Sequence, residues 1–195
     1  MNLQQINIKV YVTDDSQINY ENFIKVFNRW MAEAEQDDYL NYADYSHTEA
    51  GPGVLLISKR ANYSIDNAHY QHGFLYNRKY DVDGENVDKI RQALVETLEK
   101  CRRIEAAEEL ENAVCFNGDN ILFMVNNRRV APNSSDTFES VKPDLVSVLQ
   151  GMYGDDNFTL ERSSEDQRER FAVHITGNSG KGVAELLANL ESTLD

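Results

Sequence analysis

The sequence predicts an α+β fold: a mixed, mostly antiparallel sheet with helices mainly on one face, built from a repeated strand–helix–hairpin unit. Three observations lead there. Segments with the two-residue period of half-buried strands alternate with segments of helical period. Strand-like segments come in neighbouring pairs, two of them split by Gly, Pro or Asn, residues that turn the chain. And a shift of fifty residues lays FLYNRKY (74–80) over MVNNRRV (124–130).

Each element follows from its spacing. Ile6, Ile8, Val10 and Val12 alternate with polar residues and form a strand. Tyr20, Phe23, Phe27, Met31 and Ala34 recur at helical intervals, with Ile24 and Trp30 widening the stripe. YLNYADY (39–45), a turn at Gly51-Pro52-Gly53, VLLIS (54–58) and GFLYN (73–77) supply further strands. A second helix from Asn86 carries Val87, Ile90, Leu94, Leu98 and Cys101 on one face. In VCFNGDNILFMV, Asn117-Gly118 is the strongest short hairpin signal in the chain, so two strands are expected there. A third helix from Ser135 carries Phe138, Val141, Leu145, Leu149 and Met152, with a kink or a later start expected at Pro143. FTLER (158–162) and RFAVHIT (170–176) pair as a hairpin, and VAELLANLESTL closes the chain as a helix.

The order is thus β-α-β-β-β-α-β-β-α-β-β-α in one domain over 1–195. The repeat covers 73–126 and 123–176 and brings Asn77-Arg78-Lys79 over Asn127-Arg128-Arg129. VLLIS and ILFMV are continuously apolar, so the middle of the sheet is expected to be covered on both sides.

Composition narrows the function. The chain has 195 residues and a net charge of −14, which opposes non-specific nucleic-acid binding and attraction to anionic membranes. Its longest apolar runs are too short to cross a bilayer, and MNLQQINIKV lacks the basic and apolar regions of a secretion signal. Cys101 and Cys115 fall on a helix and a strand pattern and read as reduced residues of a cytoplasmic protein.

The stretch most suggestive of chemistry is FAVHITGNSGKGVAELLANL (171–190). A phosphate-binding loop needs glycine at 175, which is Ile175, and Ser or Thr after Lys181, which is Gly182. A serine nucleophile elbow needs glycine at Lys181 and a later histidine, and no histidine follows Ser179. What remains is a strand-to-helix turn in which Ser179, Gly180 and Lys181 can hold an anion. Asp44, His47, Asp66, His69 and His72 are candidate metal ligands by residue type, with His69 and His72 three apart. The paired motifs offer Arg78, Lys79, Arg128 and Arg129 for carboxylates or phosphates, with ion pairing inside the chain the favoured use. Seven of the ten tyrosines lie between Tyr39 and Tyr80, and Tyr45, Tyr70 and Tyr76 join the candidate binding residues. No pair of carboxylates stands out for acid–base work, so no catalytic residue and no cofactor is assigned.

The run ADYSH…GPGVLLIS…LYNRK, with APN at 131–133, resembles an uncharacterised family of bacterial proteins of similar length. The resemblance implies a bacterial cytosolic protein and carries over no activity. The leading expectation is a non-catalytic protein-binding or assembly factor with a protein partner or a second copy of itself. The alternative is a small-molecule or anion-binding domain, including a metal-dependent enzyme, that uses residues 44–80 and a pocket lined by His69, His72, Tyr76 and Arg78.

Overall fold

A computed structural model describes residues 1–34, 38–154 and 157–192. Strand β1 (Ile6–Val12) leads to helix α1 (Tyr20–Glu33), whose Asn19 cap accepts a hydrogen bond from the Glu21 amide. Four strands follow: β2 (Tyr39–Tyr45), β3 (Gly53–Ser58), β4 (Ala61–Asp66) and β5 (Gly73–Arg78). Then come α2 (Asn86–Glu105), β6 (Phe116–Val125), α3 (Ser135–Tyr153), β7 (Phe158–Arg162), β8 (Phe171–Gly177) and α4 (Val183–Ser192). The eight strands form one sheet in the order β2-β3-β4-β5-β1-β6-β8-β7, and every neighbouring pair is antiparallel. The fold is α+β, as expected.

The elements differ from expectation in two compensating ways. The tyrosine-rich segment contains a strand of its own, β4. Conversely, VCFNGDNILFMV is not a hairpin, because Phe116–Val125 runs as one strand. Val12 pairs with Phe116 while Val10 pairs with Ile121, so Asn117-Gly118 makes a bulge against β1 and not a reversal. Tertiary contacts decide this. The Gly118 carbonyl accepts from the Tyr153 hydroxyl at 2.6 Å, and a Cβ at Gly118 would meet Leu186 Cδ1 at 2.6 Å. At α3 the later start does not occur: the helix begins at Ser135 behind a Ser134 cap and continues through Pro143. Proline forgoes only the bond to the carbonyl of Glu139, an exposed residue that water can satisfy.

Strand register assigns each side chain to a face. Ile8, Tyr76, Tyr63 and Leu56 lie in one cross-strand row, continued on the other side of Ile8 by Phe123 and Val173. All six are buried in the core shared with Phe23, Phe27, Leu94, Leu98, Leu145, Leu149 and Leu186 from the four helices. Among the described residues all four helices pack on this face, each buried aliphatic or aromatic side chain contributing about 1.5–3 kcal/mol. The expectation of cover on both sides is therefore corrected. Leu55 and Ile57 of β3 and Leu122 of β6 point to the opposite face, which no helix covers, and stay half-buried.

The aligned repeat positions do not occupy equivalent places. Phe74 faces the helices, whereas Met124 lies on the open face in register with Asn7. Arg78 closes β5, whereas Arg128 sits in a turn beyond the end of β6. Among the described residues no helix is long and apolar enough to cross a membrane.

Candidate functional site

The tyrosine-rich span gathers on the helix side of the sheet, where β2 to β5 project past α2 and leave a cleft of about 570 Å³. That volume suits a small organic ligand. Alternation places Tyr63 and Tyr76 side by side on adjacent strands, 6% and 2% exposed. Tyr39 comes from the edge strand β2 and meets Tyr63 edge-on, with ring centroids 6.2 Å apart. Gln92, Glu96 and Lys100 enter from α2 one turn apart, a spacing that puts them on one helix face.

Arg78 does not line this cleft but bonds two residues that do, Tyr76 and Gln92. It is the last residue of β5, 1% exposed, and lies behind Tyr76. Its Nε donates to the Tyr76 hydroxyl at 3.2 Å, one Nη donates to the Lys89 carbonyl at 3.3 Å, and the other to Gln92 Oε1 at 3.1 Å. Its guanidinium also stands 5.9 Å from the ring centres of Tyr76 and Tyr80. Every one of these partners is neutral. Among the described residues Arg78 forms no ion pair, so the internal pairing favoured on sequence grounds is not how its charge is met. A buried cation without a counter-charge is costly, and a bound anion can supply one.

The remaining polar groups sort themselves. The Tyr63 hydroxyl donates to Glu96 Oε1 at 2.8 Å; burial and that carboxylate raise its pKa, so it stays a neutral donor. Burial raises the Tyr76 pKa, while the Arg78 hydrogen bond and charge pull it down. Because the Tyr76 oxygen accepts from Arg78, its own proton remains to be donated, and it has no acceptor among the described residues. Arg60 lies 5.5 Å over the Tyr80 ring and Lys100 lies 5.6 Å over Tyr63. Lys100 Nζ also lies 3.9 Å from Glu96 Oε1, and Lys59 and Asp38 complete the charged lining.

Of the binding residues picked from the sequence, Tyr76 lines this cleft and Arg78 bonds to it from outside the lining. Lys79 is exposed beside it, and its amide bonds the Arg60 carbonyl at 2.9 Å. Tyr45 is 42% exposed at the end of β2, and Tyr70 is 72% exposed in the β4–β5 connection. Arg129 is exposed in the turn after β6, and Arg128 lines a different cleft, on the open face.

The five candidate metal ligands do not converge, and among the described residues no three His, Cys, Asp or Glu side chains could hold an ion. Asp66 is salt-bridged to Lys9, His72 Nε2 lies 3.1 Å from the Tyr20 hydroxyl, and Asp44 accepts from the Ser46 amide. His47 is exposed, and His69 borders the open-face cleft. The glycine turn does hold an anion, but one of the protein's own. Asp119 accepts from the Ser179 amide, the Ser179 hydroxyl at 2.7 Å and the Gly180 amide at 2.7 Å, while Lys181 pairs with Glu185. Those donors are satisfied within the fold.

Sequence reasoning missed Arg60, Gln92, Glu96 and Lys100. The α2 residues carried a legible signal, a polar stripe at i, i+4, i+8 beside the apolar one; only the fold places it against the tyrosines. No family model, no curated protein and no solved structure matches this chain.

Proposed function

We propose that the protein is a binding domain for a small organic anion, a phosphate or carboxylate on a flat apolar body, held in the tyrosine cleft. The observation that carries this reading is the buried Arg78 guanidinium, which has three neutral hydrogen-bond partners and, among the described residues, no carboxylate. The Tyr76 hydroxyl relays that charge to the cleft as a polarised donor. Arg60 and Lys100 draw the anion to the mouth, and the rings of Tyr39 and Tyr80 take its apolar part. Titration calorimetry with phenyl phosphate tests it, with matched sodium chloride as the ionic-strength control. Binding by the wild type, about tenfold weaker in Tyr76→Phe and in Arg60→Ala/Lys100→Ala, supports the reading. No heat with phenyl phosphate, inorganic phosphate or benzoate overturns it.

A second reading, assembly through the sheet edge, draws support from β2. This outermost strand carries one charged residue, Asp44, and exposes Leu40 and Tyr45 at 53% and 42%. Sedimentation of the wild type and of Leu40→Lys tests it: a concentration-dependent dimer that the lysine abolishes supports this role, and a monomer in both removes it.

A further inference from the structure

The open face of the sheet carries a second cleft, of about 690 Å³, built to a different plan. Its floor comes from three adjacent strands: Tyr11 of β1, Leu122 and Met124 of β6, and Ala172 and His174 of β8. Register pairs Met124 with Ala172 and Leu122 with His174, so these side chains form a continuous patch two rows deep. Tyr11 stacks on His174 with centroids 6.5 Å apart and planes 19° apart. The floor is uncharged near neutrality, since burial lowers the His174 pKa and raises that of Tyr11.

The walls are two fastened loops. On one side Lys9 Nζ donates to the Gln71 carbonyl at 2.6 Å and anchors the β4–β5 connection to β1. On the other, the amide group of buried Asn133 donates to the carbonyls of Ser164 and Asp166, both at 2.9 Å, and Ser163 Oγ lies 3.2 Å from His174 Nε2. Along this second wall stand Arg128, Arg168 and Arg170. Arg168 is taken up by Asp166 at 2.6 Å; Arg128 lies near enough for its charge to help lower the Asp166 pKa, but neither it nor Arg170 forms a salt bridge among the described residues. Among the described residues Glu169 is the only carboxylate lining the cleft.

An apolar, uncharged floor below two unpaired guanidinium groups selects for one kind of molecule. We infer that this cleft binds an amphiphilic carboxylate, its hydrocarbon part on Leu122, Met124 and Ala172 and its head group on Arg128 and Arg170. The hydrocarbon supplies affinity by leaving water, and the arginine forks supply head-group selection. The site is separate from the tyrosine cleft, which lies on the other face of the sheet, and its inference stands on different residues.

Titration calorimetry of the intact chain with octanoate, and with octanamide as the uncharged match, tests the assignment. Octanoate is expected to bind at least about tenfold more tightly than octanamide, and Arg128→Ala/Arg170→Ala to erase that preference. A second variant, Ala172→Phe, fills the floor and is expected to weaken both compounds. Circular dichroism melting of each variant reports that it is folded. Absence of octanoate binding to the wild type, equal binding of acid and amide, or full binding by the folded double-arginine variant overturns the inference.

Discussion

Lys9 Nζ lies 2.6 Å from Asp66 Oδ2, and both side chains are under a tenth exposed although no helix covers their face of the sheet. Desolvation lowers the Lys9 pKa, and the Asp66 charge and hydrogen bond oppose that shift. Breaking one side of such a pair leaves a buried charge alone, so Lys9→Met is expected to cost about 3–5 kcal/mol. Lys9→Met/Asp66→Asn is expected to be less destabilised than Lys9→Met alone. Urea denaturation of the wild type, of Lys9→Met and Asp66→Asn singly and of the double variant gives the coupling; additive losses would show that the pair does not act as a unit.

How much of this could be read from sequence depends on whether the cause is local. Periodicity located all four helices, since stripes such as Ile90, Leu94 and Leu98 reflect burial on one side. Composition also concentrated attention on the tyrosines, of which Tyr39, Tyr63, Tyr76 and Tyr80 line one cleft. The Lys9–Asp66 pair spans 57 residues and joins two strands separated by a third, so nothing local announces it. The same holds for Tyr11 and His174, which meet only because β6 lies between their strands. Covering on both sides was misread from continuous apolar runs because Leu55, Ile57 and Leu122 tolerate half-burial on a face without helices. Asn117-Gly118 shows a local preference overruled, as the chain uses its glycine for close approach and not for a turn.

That overruling makes a prediction at the Asp119–Ser179 contact. The bulge carries Asp119 to the turn before α4, where the carboxylate collects two backbone amides and a hydroxyl. Asp119→Ala leaves these donors unpaired and is expected to cost about 2 kcal/mol. Gly118→Ala is expected to destabilise as well, since its new methyl must displace Leu186 and the Lys181 carbonyl, 2.6 and 2.8 Å away. Thermal and urea unfolding measure both. Wild-type stability in Asp119→Ala would mean that the turn holds itself.

Stability is also expected to depend on pH through His72 and His174. Burial lowers both pKa values from 6.5; for His72 the Lys9 charge adds to this and Asp66 opposes it, and for His174 Glu161 opposes it. As pH falls below 6.5 the unfolded chain takes up these protons before the folded one does. Their contribution is therefore complete above that value and is lost on acidification. Urea midpoints measured between about pH 7.5 and 5.5 should fall, above the range where carboxylates titrate. His72→Asn/His174→Gln should flatten the slope, and an unchanged slope would assign it to other groups.

Asn7 makes the last test, because it lies near the start of β1, on the open face, and has nothing to bond to among the described residues. It is fully buried between Asn77 and Met124 in register, and neither its amide nitrogen nor its amide oxygen has a partner. An unpaired buried amide costs more than an apolar group of the same shape. Asn7→Leu keeps the number of heavy atoms and the branching at Cγ and removes both orphan atoms, so it is expected to stabilise the fold by about 1 kcal/mol if the larger methyls fit. The urea midpoint reads this directly. A loss of stability would show that the asparagine is hydrogen-bonded in solution, placing an ordered water or a bound molecule beside Met124 at the margin of the open-face cleft.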